Sequence, residues 1–114
     1  MSRIIRVNEL LKREISQIIH TDYREQSAAI TITDVDVAPD LRTARVYYSV
    51  LGDESAGQIA EKLFSSKKKD IRHKISKVIV LKYLPHLKFY RDNSIERGNR
   101  VVDLLEELDE EERK

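Results

Sequence analysis

The chain has 114 residues, a length that supports one domain around one ordinary core. It contains no Cys, which excludes a disulfide framework and a thiolate metal site. Lys and Arg number 21 against 20 Asp and Glu, but seven acids and only two bases fall within residues 103–114, so the body of the chain is basic and its end acidic. That balance suits a polyanion-binding surface followed by a solvated tail.

The N-terminal residues show no apolar core followed by small residues, so no secretory signal is expected. No apolar run approaches the ~18 residues that a bilayer span needs. Residues 3–20 have the spacing of an amphipathic helix. Ile4, Val7, Leu11, Ile15 and Ile18 share a face, with Leu10 and Ile19 beside them. Ser2 is a suitable N-cap, and Arg3, Arg6, Lys12 and Arg13 lie off the apolar stripe. Residues 21–27 are polar and aperiodic and read as a loop.

Residues 28–37 alternate as a strand whose phase changes, with Ile30 and Ile32 even and Val35 and Val37 odd. A side-chain period of two cannot bring all four to one face without an extra residue, which predicts a bulge or sharp twist at Thr33-Asp34. Ala38-Pro39-Asp40-Leu41 is turn chemistry. Residues 42–50 form the returning strand of a hairpin, with Ala44, Val46, Tyr48 and Val50 on one side. A loop over residues 51–57 follows, around Gly52 and Gly57.

Residues 58–85 organise the rest. Ile59, Leu63 and Phe64, then Ile71, Ile75, Val78 and Ile79, recur at helical spacing. Between Phe64 and Ile71 the stripe is interrupted, and the chain offers Lys67, Lys68 and Lys69 where apolar residues would refill it. Ser65 and Ser66 just before them are weak helix formers. The spacing predicts two helices, or one bent helix, with a polar and strongly basic joint in the middle. Eight cations and two acids lie within 58–85. Pro85 ends the segment, because the residue before a proline is pushed out of the helical region. His86–Arg91 is a third short strand, residues 92–94 are turn and cap chemistry, and residues 95–108 carry a final helix. Residues 109–114 are an acidic tail expected to be disordered. The order predicts an α+β domain, a three-stranded sheet with helices on one face.

The cations Lys67, Lys68, Lys69, Arg72, Lys74 and Lys77 are the candidate RNA-binding residues, because a cluster of positive charges gains affinity by releasing counterions condensed on phosphates. Arg3 and Arg6 extend that surface from the first helix. Tyr47, Tyr83 and Tyr90 are candidate stacking residues for unpaired bases. Asp34, Asp36 and Asp40 do not form a calcium loop: the positions that require Gly and Glu hold Pro39 and Arg45. His20, His73 and His86 share no metal spacing. No nucleophile–base arrangement, phosphate-cradling glycine loop or dinucleotide fingerprint occurs, so neither a catalytic site nor a cofactor is expected.

Three separated stretches, in order, resemble one family. Asp40-Leu41-Arg42-Thr43-Ala44-Arg45-Val46-Tyr47 resembles the second-strand signature of ribosome-binding factor A. Ile71-Arg72 followed by residues 84–94, which begin Leu84-Pro85-His86-Leu87-Lys88-Phe89, is similar to its third-strand signature. Arg3, Arg6 and Val7 are similar to its N-terminal pattern, and the likeness runs in register over residues 3–105. The resemblance implies a single type-II KH-like domain over residues 1–108. It implies a cytoplasmic, monomeric, non-enzymatic assembly factor that binds the maturing small ribosomal subunit and its ribosomal RNA. It further implies assistance in processing the 5′ end of that RNA and a link to growth in the cold, with no membrane and no small-molecule substrate. The family bends its central helix at a small-x-Gly pattern. The matching positions here are Lys67 and Lys69, so either the kink moves to Ser65-Ser66 or the helix runs smoothly, with lysine side chains replacing part of a backbone contact. An adaptor that docks an acidic protein on the same basic helix face is the alternative reading.

Overall fold

The computed structural model describes residues 3–92. The helix expected over 95–108, the tail 109–114, the Ser2 cap and the turn residues Asn93 and Ser94 lie outside the described residues. Six elements follow in order: α1 (Arg3–Asp22), α2 (Arg24–Ser27), β1 (Ile30–Val37), β2 (Thr43–Val50), α3 (Glu54–Val78) and β3 (His86–Arg91). The sheet order is β1-β2-β3; β1 and β2 are antiparallel and β3 runs parallel to β2. A parallel neighbour needs a crossover, and α3 supplies it.

α1 buries Val7, Leu11, Ile15 and Ile19, an i, i+4 series that favours Ile19 over the half-buried Ile18 at its end. Residues 21–27 are not the featureless loop their polarity suggests. Tyr23 and Ser27 are buried, and the Ser27 hydroxyl donates to the Ile19 carbonyl at 2.8 Å, satisfying a backbone group at the end of α1. In β1 the register slips between Ile32 and Asp34, leaving Thr33 as the bulged residue. The bulge brings Ile30, Ile32, Val35 and Val37 to one buried face. The Thr33 hydroxyl donates to the buried Asp92 carboxylate at 3.0 Å. The hairpin turn closes with the Leu41 N–H on the Ala38 carbonyl at 2.8 Å, and Leu41 itself is left-handed at φ 62°. A branched residue held there costs about 1–2 kcal/mol.

α3 begins at Glu54, four residues before Gln58. Asp53 is its N-cap and accepts the Ala56 N–H at 3.2 Å. Gly57 lies inside the helix instead of ending a loop, for a steric reason: a Cβ there would collide with the Arg91 guanidinium. α3 ends at Val78, short of Leu84, with Ile79 extended as its C-cap. Three consecutive β-branched residues, Val78-Ile79-Val80, weaken helix continuation before Pro85 is reached. Ala60, Leu63, Phe64, Ile71 and Ile75 of α3 are buried, while Ile59 and Val78, expected in the stripe, are exposed. Phe64 stacks on Phe89 of β3 with centroids 4.3 Å apart and tilts against Tyr48 of β2 at 4.6 Å. α1 and α3 thus cover one face of the sheet, and Thr31, Asp36, Lys88 and Tyr90 are exposed on the other.

Candidate nucleic-acid interface

α3 passes unbroken through Ser65, Ser66 and the lysine triplet, so of the two arrangements open at the joint the single helix is the one observed. Among the described residues, positive φ occurs only at Leu41 and Gly52. The serines are absorbed by the helix. Ser65 donates to the Lys62 carbonyl at 3.2 Å and Ser66 to the same carbonyl at 2.6 Å, a back-bonding pattern that a helix tolerates at a small cost in stability. Phe64 on one side and Ile71 and Ile75 on the other pin the segment to the core.

The interrupted apolar stripe has a different consequence. Where it lapses, a cleft of about 830 Å³ opens between α3 and the start of β3. Ser65, Ser66, Lys68, Lys69, Arg72, His73 and Ser76 line it from α3, and His86 and Leu87 from β3. The α3 residues recur at three- and four-residue steps, which places them along one flank of the helix. Among the described residues, no Asp or Glu lines the cleft. Hydroxyls beside cations, with no competing carboxylate, form a surface that accepts phosphate oxygens.

The six α3 cations do not act together. Lys68, Lys69 and Arg72 reach the cleft. Lys74 turns to the other flank, where its ammonium meets Asp22 at 2.9 Å and Asp70 at 3.5 Å and sits 4.7 Å over the Tyr23 ring. The hydrogen bond to Asp22 holds the Lys74 amine above the ordinary lysine range. Lys74 is therefore a tie between the end of α1 and α3, which removes it from the phosphate-binding set. Lys67 and Lys77 are exposed and do not line the cleft; Lys67, three residues before Asp70, lies on that same flank, while Lys77 stands between it and His73. Arg3 and Arg6 are exposed near Asn8, whose side-chain oxygen accepts the Val37 N–H at 2.8 Å. That contact puts them at the hairpin-turn end of the sheet.

Arg72 is half-buried and partly committed. Its guanidinium donates to the Leu84 carbonyl at 2.6 Å and the Pro85 carbonyl at 3.1 Å, clamping the connection from α3 to β3. Arg72→Ala strands both carbonyls and is expected to lower unfolding stability by about 1–3 kcal/mol in a urea titration. Arg72→Lys should recover only part of that, because an ammonium cannot reproduce the planar fork. Full recovery by lysine would contradict the clamp.

The Tyr23–Asp70–Lys74–Asp22 cluster makes a pH prediction. The Tyr23 hydroxyl donates to Asp70, and that bond, ahead of the nearby Lys74 charge, holds the Asp70 carboxyl below the ordinary carboxylate range. A depressed native pKa gives stability that is present above the unfolded pKa of about 4 and lost as pH falls through the native value. Asp70→Asn should therefore lower Tm at neutral pH, with the gap to the parent chain closing on acidification below that range. A gap that widened with acid would refute the assignment.

His73 and His86 are cleft residues that sequence spacing did not bring together; they lie on different elements and meet only through the crossover. Among the described residues no group of His, Asp and Glu could hold a metal ion. Nor is any described helix long and apolar enough to cross a membrane.

A family model described as Ribosome-binding factor A matches residues 3–105. The chain belongs to the ribosome-binding factor A family. It is 43% identical over 110 residues to the ribosome-binding factor A of Opitutus terrae, covering 95% of this chain and 88% of that one. The fold resembles the crystal structure of ribosome-binding factor A from Thermus thermophilus, with a TM-score of 0.69 at 18% identity, over 79% of this chain and 97% of that one. It also resembles a homology model of the Thermus thermophilus factor fitted into a cryo-electron-microscopy map of a 30S complex with that factor. There the TM-score is 0.59 at 18% identity, over 71% of this chain and 86% of that one. The α+β, KH-like architecture expected of the family is the one observed.

Proposed function

We propose that this protein is a non-enzymatic assembly factor that binds the maturing small ribosomal subunit and holds its ribosomal RNA in the cleft between α3 and β3. The observation that carries this reading is the convergence of Lys68, Lys69, His73 and His86 on that cleft, with no carboxylate lining it among the described residues. The Thermus thermophilus factor, which shares the fold, was fitted as part of a 30S complex, which supports the same partner here. Lys68 and Lys69 contact phosphates, and Ser65, Ser66 and Ser76 offer hydroxyls to neighbouring oxygens. Such contacts position the protein without reading sequence, so specificity comes from the shape of one folded particle. The protein acts as a cytoplasmic monomer through residues 1–108, with 109–114 as an acidic tail. It assists 5′-end processing and late subunit maturation, with its largest effect in the cold.

The test is co-sedimentation with free small subunits across a salt series. RNA-phosphate binding falls linearly in a log–log plot of affinity against salt. A slope near zero, or binding that survives digestion of the RNA, would reject this reading and favour an acidic protein partner.

A further inference from the structure

A second cleft, of about 590 Å³, lies beyond the Arg72 clamp, between the β1–β2 turn and the segment joining α3 to β3. Arg72 and His86 line both clefts, so the two are neighbours across a shared wall. The second one adds Arg42 from the turn and Lys82 and Tyr83 from the crossover. Tyr83 is 69% exposed, and the Lys82 ammonium stands 5.6 Å from its ring centroid. An exposed ring beside a cation offers a stacking face and a phosphate contact together. Among the described residues the one carboxylate in the lining is Asp40, which accepts the Arg42 N–H at 3.0 Å and is outnumbered by the cations Arg42, Arg72 and Lys82.

The segment that displays Tyr83 is anchored on both sides. Ile79 and Pro85 are buried, Arg72 grips the Leu84 and Pro85 carbonyls, and the His86 N–H donates to the Arg42 carbonyl at 2.9 Å. Residues 80–83 are thus held out over the turn by fixed ends, which reduces the ordering needed when a ligand arrives. Neither the buried core nor the clamp requires Tyr83 or Lys82 to be where they are.

We propose that this second cleft is a single-stranded RNA subsite. One unpaired base stacks on Tyr83, and its flanking phosphates meet Arg42 and Lys82. A strand leaving the first cleft past His86 enters it directly. The inference rests on the reading of the first cleft as an RNA groove.

The experiment uses two fluorescent single-stranded RNAs. One has about four nucleotides, the length a KH groove clamps, and the other about twice that, long enough to continue past the shared wall. Tyr83→Ala should weaken binding of the longer RNA about tenfold and leave the shorter unchanged, and Tyr83→Phe should behave as the parent chain. Arg42→Ala with Lys82→Ala should lower the salt slope for the longer RNA alone. If Tyr83→Ala binds the longer RNA as the parent does, or weakens both lengths equally, the separate subsite is overturned. Lys68→Ala with Lys69→Ala serves as the reference. If that pair weakens both RNAs while the Tyr83 variant weakens neither, the first groove stands and only this inference fails. If the pair weakens neither, the groove reading fails and takes the subsite with it.

Discussion

Replacing Lys68 and Lys69 together by glutamate is expected to weaken binding to the small subunit by about two orders of magnitude, roughly 3 kcal/mol, with the salt slope shallower by about two. Both side chains are exposed on the flank of α3 that faces β3, and neither is tied to a carboxylate by an ion pair among the described residues. Their loss therefore removes two phosphate contacts without leaving a buried charge unpaired. The informative control is the pair Lys67→Glu and Lys77→Glu. It makes the same change in net charge on the same helix, but at residues that do not line the cleft. If binding is mainly long-range attraction, the two double variants should lose equally. If the cleft makes the contacts, the first should lose most of the affinity and the second a small part of it. Equal losses would remove the cleft from the mechanism while leaving a basic protein. Thermal unfolding of both variants would show that neither loss comes from an unfolded chain, since all four lysines are exposed.

Much of the architecture was readable because it depends on periodicity. The phase change between Ile32 and Val35 demanded a bulge, and Thr33 is that bulge. The strand His86–Arg91 was readable to the residue. The ends of α3 were not, because each is decided by something other than the nearest breaker. Gly57 looks like the end of a loop until Arg91 is found against it, and the helix stops at a β-branched run before the proline that seemed to end it. The weak helix propensity of two serines left a kink or a smooth helix open, and buried Phe64 and Ile71 on either side support the single helix observed. For the site, counting cations pointed to α3 but not to the flank that each cation occupies. Which flank a lysine serves depends on what faces it, and the partners of Lys74, Asp22 and Tyr23, lie some fifty residues earlier. The signal available in the sequence was the spacing: Lys68, Arg72 and Ser76 step by four on one flank, while Lys67, Asp70 and Lys74 step by three and four on the other. The second cleft had no sequence signal beyond Tyr83 itself, since its walls come from a turn and a crossover that the sheet brings together.

Phe64→Ala is expected to lower unfolding stability by about 3–5 kcal/mol, the usual cost of truncating a buried phenylalanine. Phe64 is 3% exposed and stands where α3 meets the sheet, stacked on Phe89 with rings 12° from parallel and tilted against Tyr48. It is also the last buried residue of α3 before the stripe lapses; the next is Ile71. The helix thus crosses the cleft between two anchors, and truncating the first removes one end of the bridge. Nearby side chains cannot collapse into the space easily, because the cleft already leaves that side of α3 unpacked. For a domain whose total stability is of the order of 5–15 kcal/mol, such a loss is a large share. A urea titration should show a lower midpoint with an unchanged slope. The variant should also bind RNA less well even where it remains folded, because Lys68 and Lys69 are held at the cleft only by the two anchors. Phe64→Leu keeps most of the volume and should restore both stability and binding in large part. A loss below about 1 kcal/mol for Phe64→Ala would mean that α3 is seated by Ile71 and Ile75 alone, and that the cleft is not held open by this ring.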